Sequence, residues 1–419
     1  MISSNSHTKT NGTSTGLPIV IAGGGCVGLF LALLLCQSPI RNKVIVVEPN
    51  LPNATDTRAM AHQPLIFPLF ACAGLLPELS KLGSFSSGIC FRKSVANGSE
   101  LIAGKQFKEG EKAQLLLPQW KFQGLLIGKV KQEDKGDVRM GWKISSFQDK
   151  EKSVSVKIVG EGGKEEEIKA DYLIGADGAK STVRKLLGAE FEGETLDAQL
   201  VATDIVFDFH RHGFYDANFV IDPVDYGLIG RIDNEGLWRV SYGVPRSATE
   251  EQIFEGVHEK LAKMLPGEGK DEDGERKYEV RRIAPYKAQQ RCAETFWKGR
   301  VGICGDAAHL TNPYAGLGLA SGIADAAALS EVLVQILTNK AAAPVQLLSS
   351  WSEARRQKFL NAVSQPSRMA YMRVRRNVDS QENVDMMLER DPLVKALKTG
   401  MPMMPPSLVT NVQELEGWA

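Results

Sequence analysis

Residues 17–48 read LPIVIAGGGCVGLFLALLLCQSPIRNKVIVVE, and the order of residue types in this stretch decides the fold. A β-branched run at 19–22 meets three glycines, a Leu- and Ala-rich run follows to residue 36, and a second β-branched run occupies 44–47. That is strand, glycine turn, helix, strand, the βαβ unit from which open parallel sheets are built. Gly23, Gly25 and Gly28 make the pattern GxGxxG at the strand-to-helix junction. The first allows a tight turn, the second lets backbone approach a pyrophosphate, and the third lets helix and strand pack closely. Phosphate oxygens then sit on unpaired N–H groups at the positive end of the helix dipole. Glu48 closes the second strand, where a carboxylate accepts both hydroxyls of an adenosine ribose and repels a 2′-phosphate. The site suits FAD or NAD, not NADP.

The apolar run 17–36 is also long enough to span a bilayer. Its glycine interruption and its change from β-branched to Leu and Ala mark it instead as a buried strand entering a buried helix, so no membrane span is expected. At 419 residues the chain can form one large α/β unit or two joined domains. Fifty basic and fifty acidic residues give a formal charge of zero, which removes the cationic surplus that nucleic-acid partners require. Six cysteines occur without CxxC spacing, as expected of a reduced cytoplasmic protein, and no metal site is expected. Residues 1–16, rich in Ser, Thr, Asn and Gly, read as a disordered leader.

Beyond the first unit, residues 106–169 alternate short β-like runs with glycine and charge clusters, and residues 200–244 carry strands at 204–209, 218–221 and 237–244 that predict a second, antiparallel sheet. A helix is expected over 250–265, and from 322 onward the chain reads as helical, broken at Pro366 and at the Pro-rich 401–406 segment. His210 and His212 would share one face of a strand, and the basic run 373–376 would form a solvated helix face.

Two further turns resemble each other. Residues 171–188, DYLIGADGAKSTVRKLLG, form a buried strand ending at Asp177, with Ser181 able to cap the next helix and Arg184 one turn on. Residues 299–325, GRVGICGDAAHLTNPYAGLGLASGIAD, form a strand ending at Asp306, then Gly316 and Gly318 at the start of a long helix. A carboxylate at the carboxyl end of a strand can accept from a ribityl hydroxyl. A glycine helix start, Gly316 to Leu319, offers N–H groups to the anionic edge of a reduced flavin.

The three motifs GxGxxG, DGxxSxVR and GDAAHxxxPxxGxG, in this order, resemble those of the class A flavoprotein monooxygenases of the p-hydroxybenzoate hydroxylase type, over residues 17 to 360. The resemblance implies an α/β fold: a Rossmann-type FAD-binding domain from 17–90, 106–200 and 280–345, an inserted β-sheet substrate domain from 91–105 and 201–279, and carboxyl-terminal helices over 346–419. It implies that Gly23, Gly25, Gly28 and Glu48 hold the ADP half of FAD, with Arg58 and Gln119 near the cofactor. Asp177 would serve the segment shared by FAD and NAD(P)H, Asp306 the ribityl or pyrophosphate oxygens, Pro313 the face of the ring, and Gly316, Gly318 and Leu319 its pyrimidine edge. The usual GQGxNxG is GLGLASG here, so Leu317 and Ala320 replace two residues that contact the ring.

By the same resemblance, NAD(P)H reduces the flavin and O2 adds to it, giving a C4a-peroxyflavin that transfers one oxygen atom to an aromatic or conjugated small molecule. Epoxidation, Baeyer–Villiger insertion, oxidative decarboxylation, or flavin binding without oxygenase turnover are the alternatives, and the chain could be a monomer or a homodimer. Tyr226, Arg239 and Tyr242 are the candidate substrate-pocket residues, with Arg231 nearby, because an Arg or Tyr that stabilises a phenolate assists electrophilic oxygen transfer.

Overall fold

The computed structural model describes residues 16–54, 60–401 and 407–419. The first βαβ unit forms as its sequence dictates: β1 (Ile19–Ala22), α1 (Cys26–Gln37) and β2 (Val44–Glu48). There follow β3 (Gly88–Lys93), β4 (Leu101–Gln106), α2 (Gln119–Gln132), β5 (Gly136–Met140), β6 (Tyr172–Gly175) and α3 (Thr182–Leu187). The middle of the chain holds β7 (Phe191–Val206), β8 (Ala217–Ile221), β9 (Gly227–Arg231), β10 (Leu237–Pro245), α4 (Glu250–Glu255), α5 (Val257–Met264) and β11 (Glu279–Ala293). Next come β12 (Trp297–Lys298), β13 (Val301–Ile303), β14 (His309–Leu310), α6 (Gly318–Leu337), α7 (Pro344–Phe359), α8 (Gln365–Val374), α9 (Gln381–Arg390) and α10 (Pro392–Thr399).

Two large sheets organise these elements. In the first, ordered β12-β13-β6-β1-β2-β5, the strands from β13 to β5 run parallel and β12 is antiparallel. Its centre is buried on both faces, as covering helices require, and Ile19, Val20 and Ile21 have no exposure. The second, ordered β14-β11-β7-β10-β9-β8-β3-β4, is antiparallel except at the β8–β3 pair. A third sheet is a hairpin layer of residues 143–150, 153–159 and 165–170. Among the described residues, α6 alone is long and apolar enough to cross a membrane, and 78% of its apolar window is buried in the protein.

Several sequence expectations need correction. Residues 106–169 contain the helix α2, whose face of Phe122, Leu126 and Val130 is fully buried at helical spacing. Strands β7 and β11 are long and belong to the second sheet, which therefore reaches beyond residues 201–279, from Phe191 to Ala293. The helix expected over 250–265 divides at Gly256. Strand β7 ends at Val206, and His210 to His212 form a 3-10 turn in which His210 meets Asp216 and His212 stacks on Phe207. Pro366 does not break the helix. The π-turn of residues 360–364 widens the coil just before it, so the proline falls at the junction where the regular α-helical bonding is already interrupted, and the helix runs on through it. Of the basic run, Arg373 is buried and bonded to Asp391, and Arg375 binds Asp197, so this is not a solvated face. The expected leader, save Gly16, and residues 402–406 lie outside the described residues.

The two sheets and the carboxyl-terminal helices meet at one buried carboxylate. Asp325 of α6 accepts from the Gly305 N–H at 3.1 Å and from His309 Nε2 at 2.6 Å through one oxygen, and from Arg355 Nε of α7 at 2.7 Å through the other. Asp325 and Arg355 both have no exposure. Burial works against the charged carboxylate, but His309 and Arg355 outweigh it and lower the carboxyl pKa. Removing one partner of such a pair leaves an uncompensated charge. Asp325→Ala is therefore expected to destabilise the fold by about 3–5 kcal/mol, read from denaturant midpoints; a loss below about 1 kcal/mol would contradict this account.

A second buried carboxylate sets an acid limit. Burial alone would raise the Asp216 carboxyl, but paired bonds from Arg231 at 2.6 and 2.9 Å and the Ser87 N–H bring it to about 2. With a depressed folded pKa, its contribution is complete above the ordinary value near 3.8 and is lost as pH falls through about 2. Between pH 4 and 2 the parent should lose about 2 kcal/mol more stability than Asp216→Asn, measured by urea unfolding; parallel losses would show that Asp216 does not carry the effect.

Candidate active site

At the glycine turn, Gly23 adopts φ +105°, and a Cβ there would stand 2.3 Å from the Ala176 carbonyl oxygen. A Cβ on Gly28 would stand 2.1 Å from the Gly23 carbonyl oxygen, so helix and strand touch backbone to backbone. Gly25 is different: nothing lies within 4 Å of its Cβ position. That open cradle faces the start of α1, whose first N–H groups receive no side-chain cap. Gln123 of α2 braces the turn, donating to the Gly24 carbonyl at 2.7 Å. The Glu48 carboxylate is oriented by the Gly24 N–H at 2.7 Å and the Asn50 N–H at 2.9 Å. These features fit an adenosine with its pyrophosphate. Gln119 opens α2, with its carbonyl 3.9 Å from the Cys26 thiol at the head of α1. Arg58 lies outside the described residues.

The second motif supports this cradle from behind. The Asp177 carboxylate accepts from Ser181 and from the Thr182 and Val183 N–H groups, so it caps its own helix α3. What the segment presents to the glycine turn is the Ala176 backbone. Arg184 ties the motif to the third, donating to the Ala307 carbonyl at 2.8 Å and lying 3.7 Å over the Phe191 ring. In the third motif Asp306 is exposed at the end of β13. Its neighbour Gly305 packs against Val27 of α1, which puts Asp306 beside the start of α1. Pro313 is half-buried, Gly316 is exposed against Gln63, and Gly318 and Leu319 begin α6 without a capping side chain. Leu317 is half-buried, whereas Ala320 is buried in the core of the FAD-type sheet.

The pleat of the second sheet separates the substrate candidates. Register pairs Thr203 with Val240 and Val201 with Tyr242, and these side chains face α4 and α5 together with Trp238, Ile253 and Leu261. Tyr242 is thus a core residue on the far face, bonded to Thr203 at 3.3 Å, and its place in the substrate pocket is withdrawn. Arg231 is likewise engaged by Asp216. The opposite face, turned toward the third motif and α8, carries Ala202, Asp204, Arg239, Ser241, Ala284 and Tyr286. Arg239 is there, but it is buried in a forked bond to Asp204 at 2.8 and 3.1 Å. A cavity of about 310 Å³ opens beside it, lined by Asp204, Leu237 and Arg282 among others. Tyr226 stands over Gly243, four residues and about 13 Å along the strand from Arg239.

Sequence reasoning passed over three residues of this face. Tyr286 keeps 37% of its surface accessible, yet burial pushes its phenol up to about 12. Tyr371 of α8 donates to Asp197 at 2.7 Å and lies 3.4 Å from the Tyr226 hydroxyl, with Arg375 bound to both Tyr371 and Asp197. Burial raises the phenols of Tyr226 and Tyr371, and bonds from Tyr371 and Arg375 lower the Asp197 carboxyl. Gln290 of β11 is buried at the third motif. Tyr286 reaches this face through the register that sets it opposite Leu200, and nothing local in the sequence marks Tyr286, Tyr371 or Gln290.

The chain is similar to known proteins in sequence and in fold. Residues 16–365 match the family model described as FAD binding domain. The chain is 34% identical over 351 residues to para-nitrophenol 4-monooxygenase of Pseudomonas sp. (strain WBC-3), covering 83% of this chain and 84% of that one. It is 32% identical, over 83% of this chain and 86% of the other, to 6-hydroxy-3-succinoylpyridine 3-monooxygenase of Pseudomonas putida (strain DSM 28022 / S16). The crystal structure of p-nitrophenol 4-monooxygenase from Pseudomonas putida DLL-E4 superposes with a TM-score of 0.82 at 30% identity, covering 92% of this chain and 96% of that one.

Glu48→Ala removes a charged acceptor from the adenosine end. It should weaken FAD by about 2 kcal/mol, roughly thirtyfold in Kd, in a fluorescence titration; equal affinities would place the ribose elsewhere.

Proposed function

Since the chain belongs to the FAD-binding-domain family of class A flavin-dependent aromatic hydroxylases and is an FAD-dependent monooxygenase, we propose that it draws electrons from NAD(P)H and oxygenates a phenol at the ring carbon para to the hydroxyl. The names of the two curated relatives support the para position. Carbon 4 of p-nitrophenol and carbon 3 of 6-hydroxy-3-succinoylpyridine each lie opposite a ring hydroxyl and already carry a substituent. A hydroxyl that loses its proton enriches the opposite carbon in electrons, which is what an electrophilic oxygen requires.

In this reading the Gly25 cradle and the start of α1 hold the pyrophosphate, Glu48 holds the ribose, and the start of α6 beside Pro313 receives the pyrimidine edge of the ring. Bound FAD supplies hydride acceptance and oxygen transfer. The substrate lies on the side of Ala202, Ser241 and Ala284, which present small side chains on the face turned toward the third motif. Packed protein on the other face of the sheet, from Trp238 to Leu261, keeps water from entering behind it.

The observation that carries the reading is the hydroxyl chain. Tyr226, 4% exposed on the cleft face, leads through Tyr371 to Asp197, which reaches solvent. A neutral tyrosine hydroxyl accepts the substrate's proton on oxygen while passing its own along, and the ionised Asp197 favours that outward direction.

The function test is NAD(P)H consumption stimulated by para-substituted phenols, with one atom of labelled O2 in the product. Consumption indifferent to every phenol offered would sink it. Tyr226→Phe should lower kcat by roughly 100-fold near neutral pH and regain rate as pH rises through the substrate phenol's own pKa. A variant with the parent's pH profile would remove Tyr226 from the proton path.

A further inference from the structure

The pairing of β14 with β11 stops at Leu310, opposite Arg291. Beyond it, residues 311–316 carry Pro313 and Gly316 but make no further ladder, so their position depends on side chains. Two buried amides supply it. Gln290 Oε1 accepts from the Thr311 hydroxyl at 3.0 Å, from the Asn312 N–H at 3.0 Å and from Asn312 Nδ2 at 2.6 Å. Its Nε2 donates to the Ser364 carbonyl at 3.1 Å and hydroxyl at 3.2 Å, in the π-turn that leads into α8. Asn312 Nδ2 also donates to the Ser367 carbonyl of α8 at 2.9 Å, and Asn312 Oδ1 accepts from the Tyr314 N–H at 3.1 Å. Gln290 and Asn312 are 2% and 1% exposed, so water cannot take over these bonds.

We propose that the Gln290–Asn312 amide pair is a positioning element for oxygen transfer, fixing the loop against the flavin ring at a set distance from α8. The inference rests on the proposed function, because α8 carries Tyr371, and its C-cap is Arg375, both of the hydroxyl chain that addresses the substrate. The primary amide of Gln290 offers an acceptor to the loop and a donor to the helix from one rigid plane. A carboxylate keeps the first and loses the second, and an aliphatic chain loses both.

The consequence lies in the fate of oxygen. With 4-nitrophenol in place, the carbon that takes the oxygen atom gives up its nitro group, so that 4-nitrophenol, O2, NAD(P)H and H+ give 1,4-benzoquinone, nitrous acid, H2O and NAD(P)+. When ring and substrate are out of register, the same electrons reduce O2 to H2O2, and O2, NAD(P)H and H+ give H2O2 and NAD(P)+. Misplacement by a fraction of an ångström favours the second outcome.

The test uses the full chain loaded with FAD, with 4-nitrophenol as the probe. Gln290→Leu should lower product formed per NAD(P)H consumed roughly fivefold, equivalent to about 1 kcal/mol, with H2O2 accounting for the difference. It should also weaken FAD binding and alter the visible flavin bands. Gln290→Glu should return the flavin bands and FAD affinity toward the parent's, which loss of packing alone would not do. If Gln290→Leu does not fold, Asn312→Ser gives the same readings, since serine can still cap the Tyr314 N–H but loses both Nδ2 bonds. Folded variants with the parent's flavin bands, FAD affinity and coupling would overturn the proposal. A parent that ignores every phenol would instead overturn the functional reading, and the flavin measurements, which need no substrate, would still judge the amide pair.

Discussion

The Asp325 carboxylate is the point on which the rest of the structure depends. It joins the turn of the third motif through Gly305 and His309 to α7 through Arg355, and Arg355 in turn holds the carboxyl-terminal segment through the Leu408 carbonyl and Thr410. A charge with no exposure survives only where every lone pair has a partner. The geometry around Asp325 is therefore rigid. His309, stacked on Phe359 at 4.3 Å, has its ring engaged in this network, which makes it a structural residue and not a base.

From that anchor the three turns take their places. Gly305 and Gly322 both pack on Val27, so the third motif rests directly against the helix that follows the glycine turn. Arg184 bonds the second motif to Ala307. Three segments far apart in the chain thereby come together between Glu48 and the start of α6. Their shared requirement is close backbone approach, which glycine permits and a Cβ would forbid.

The substrate side follows a different rule. Its sheet has two buried faces with separate partners: helices α4 and α5 on one, the third motif and α8 on the other. A change of one residue along a strand moves a side chain from core to cleft. Tyr242 and Ser241 are neighbours in sequence and lie on opposite faces of the sheet. The carboxyl-terminal helices, outside the three motifs, contribute Tyr371 and Arg375 to the cleft side and the π-turn that Gln290 grips.

What the sequence by itself determined is what short-range physics controls. The GxGxxG turn, Ser181 as the cap of α3 and the glycine start of α6 were legible because each is set by residues within a few positions, through φ, Cβ clash and free N–H groups. The motif resemblance extended this to the family. Only the tertiary structure decided which face a strand residue occupies and which buried charge meets which. Arg239 finds Asp204 across the sheet, Tyr371 finds Asp197 from far along the chain, and Gln290 finds both the motif loop and α8. Those pairings join residues separated by tens to hundreds of positions, and no local propensity records them; they exist because a buried polar group must be satisfied by whatever the packed fold brings within reach.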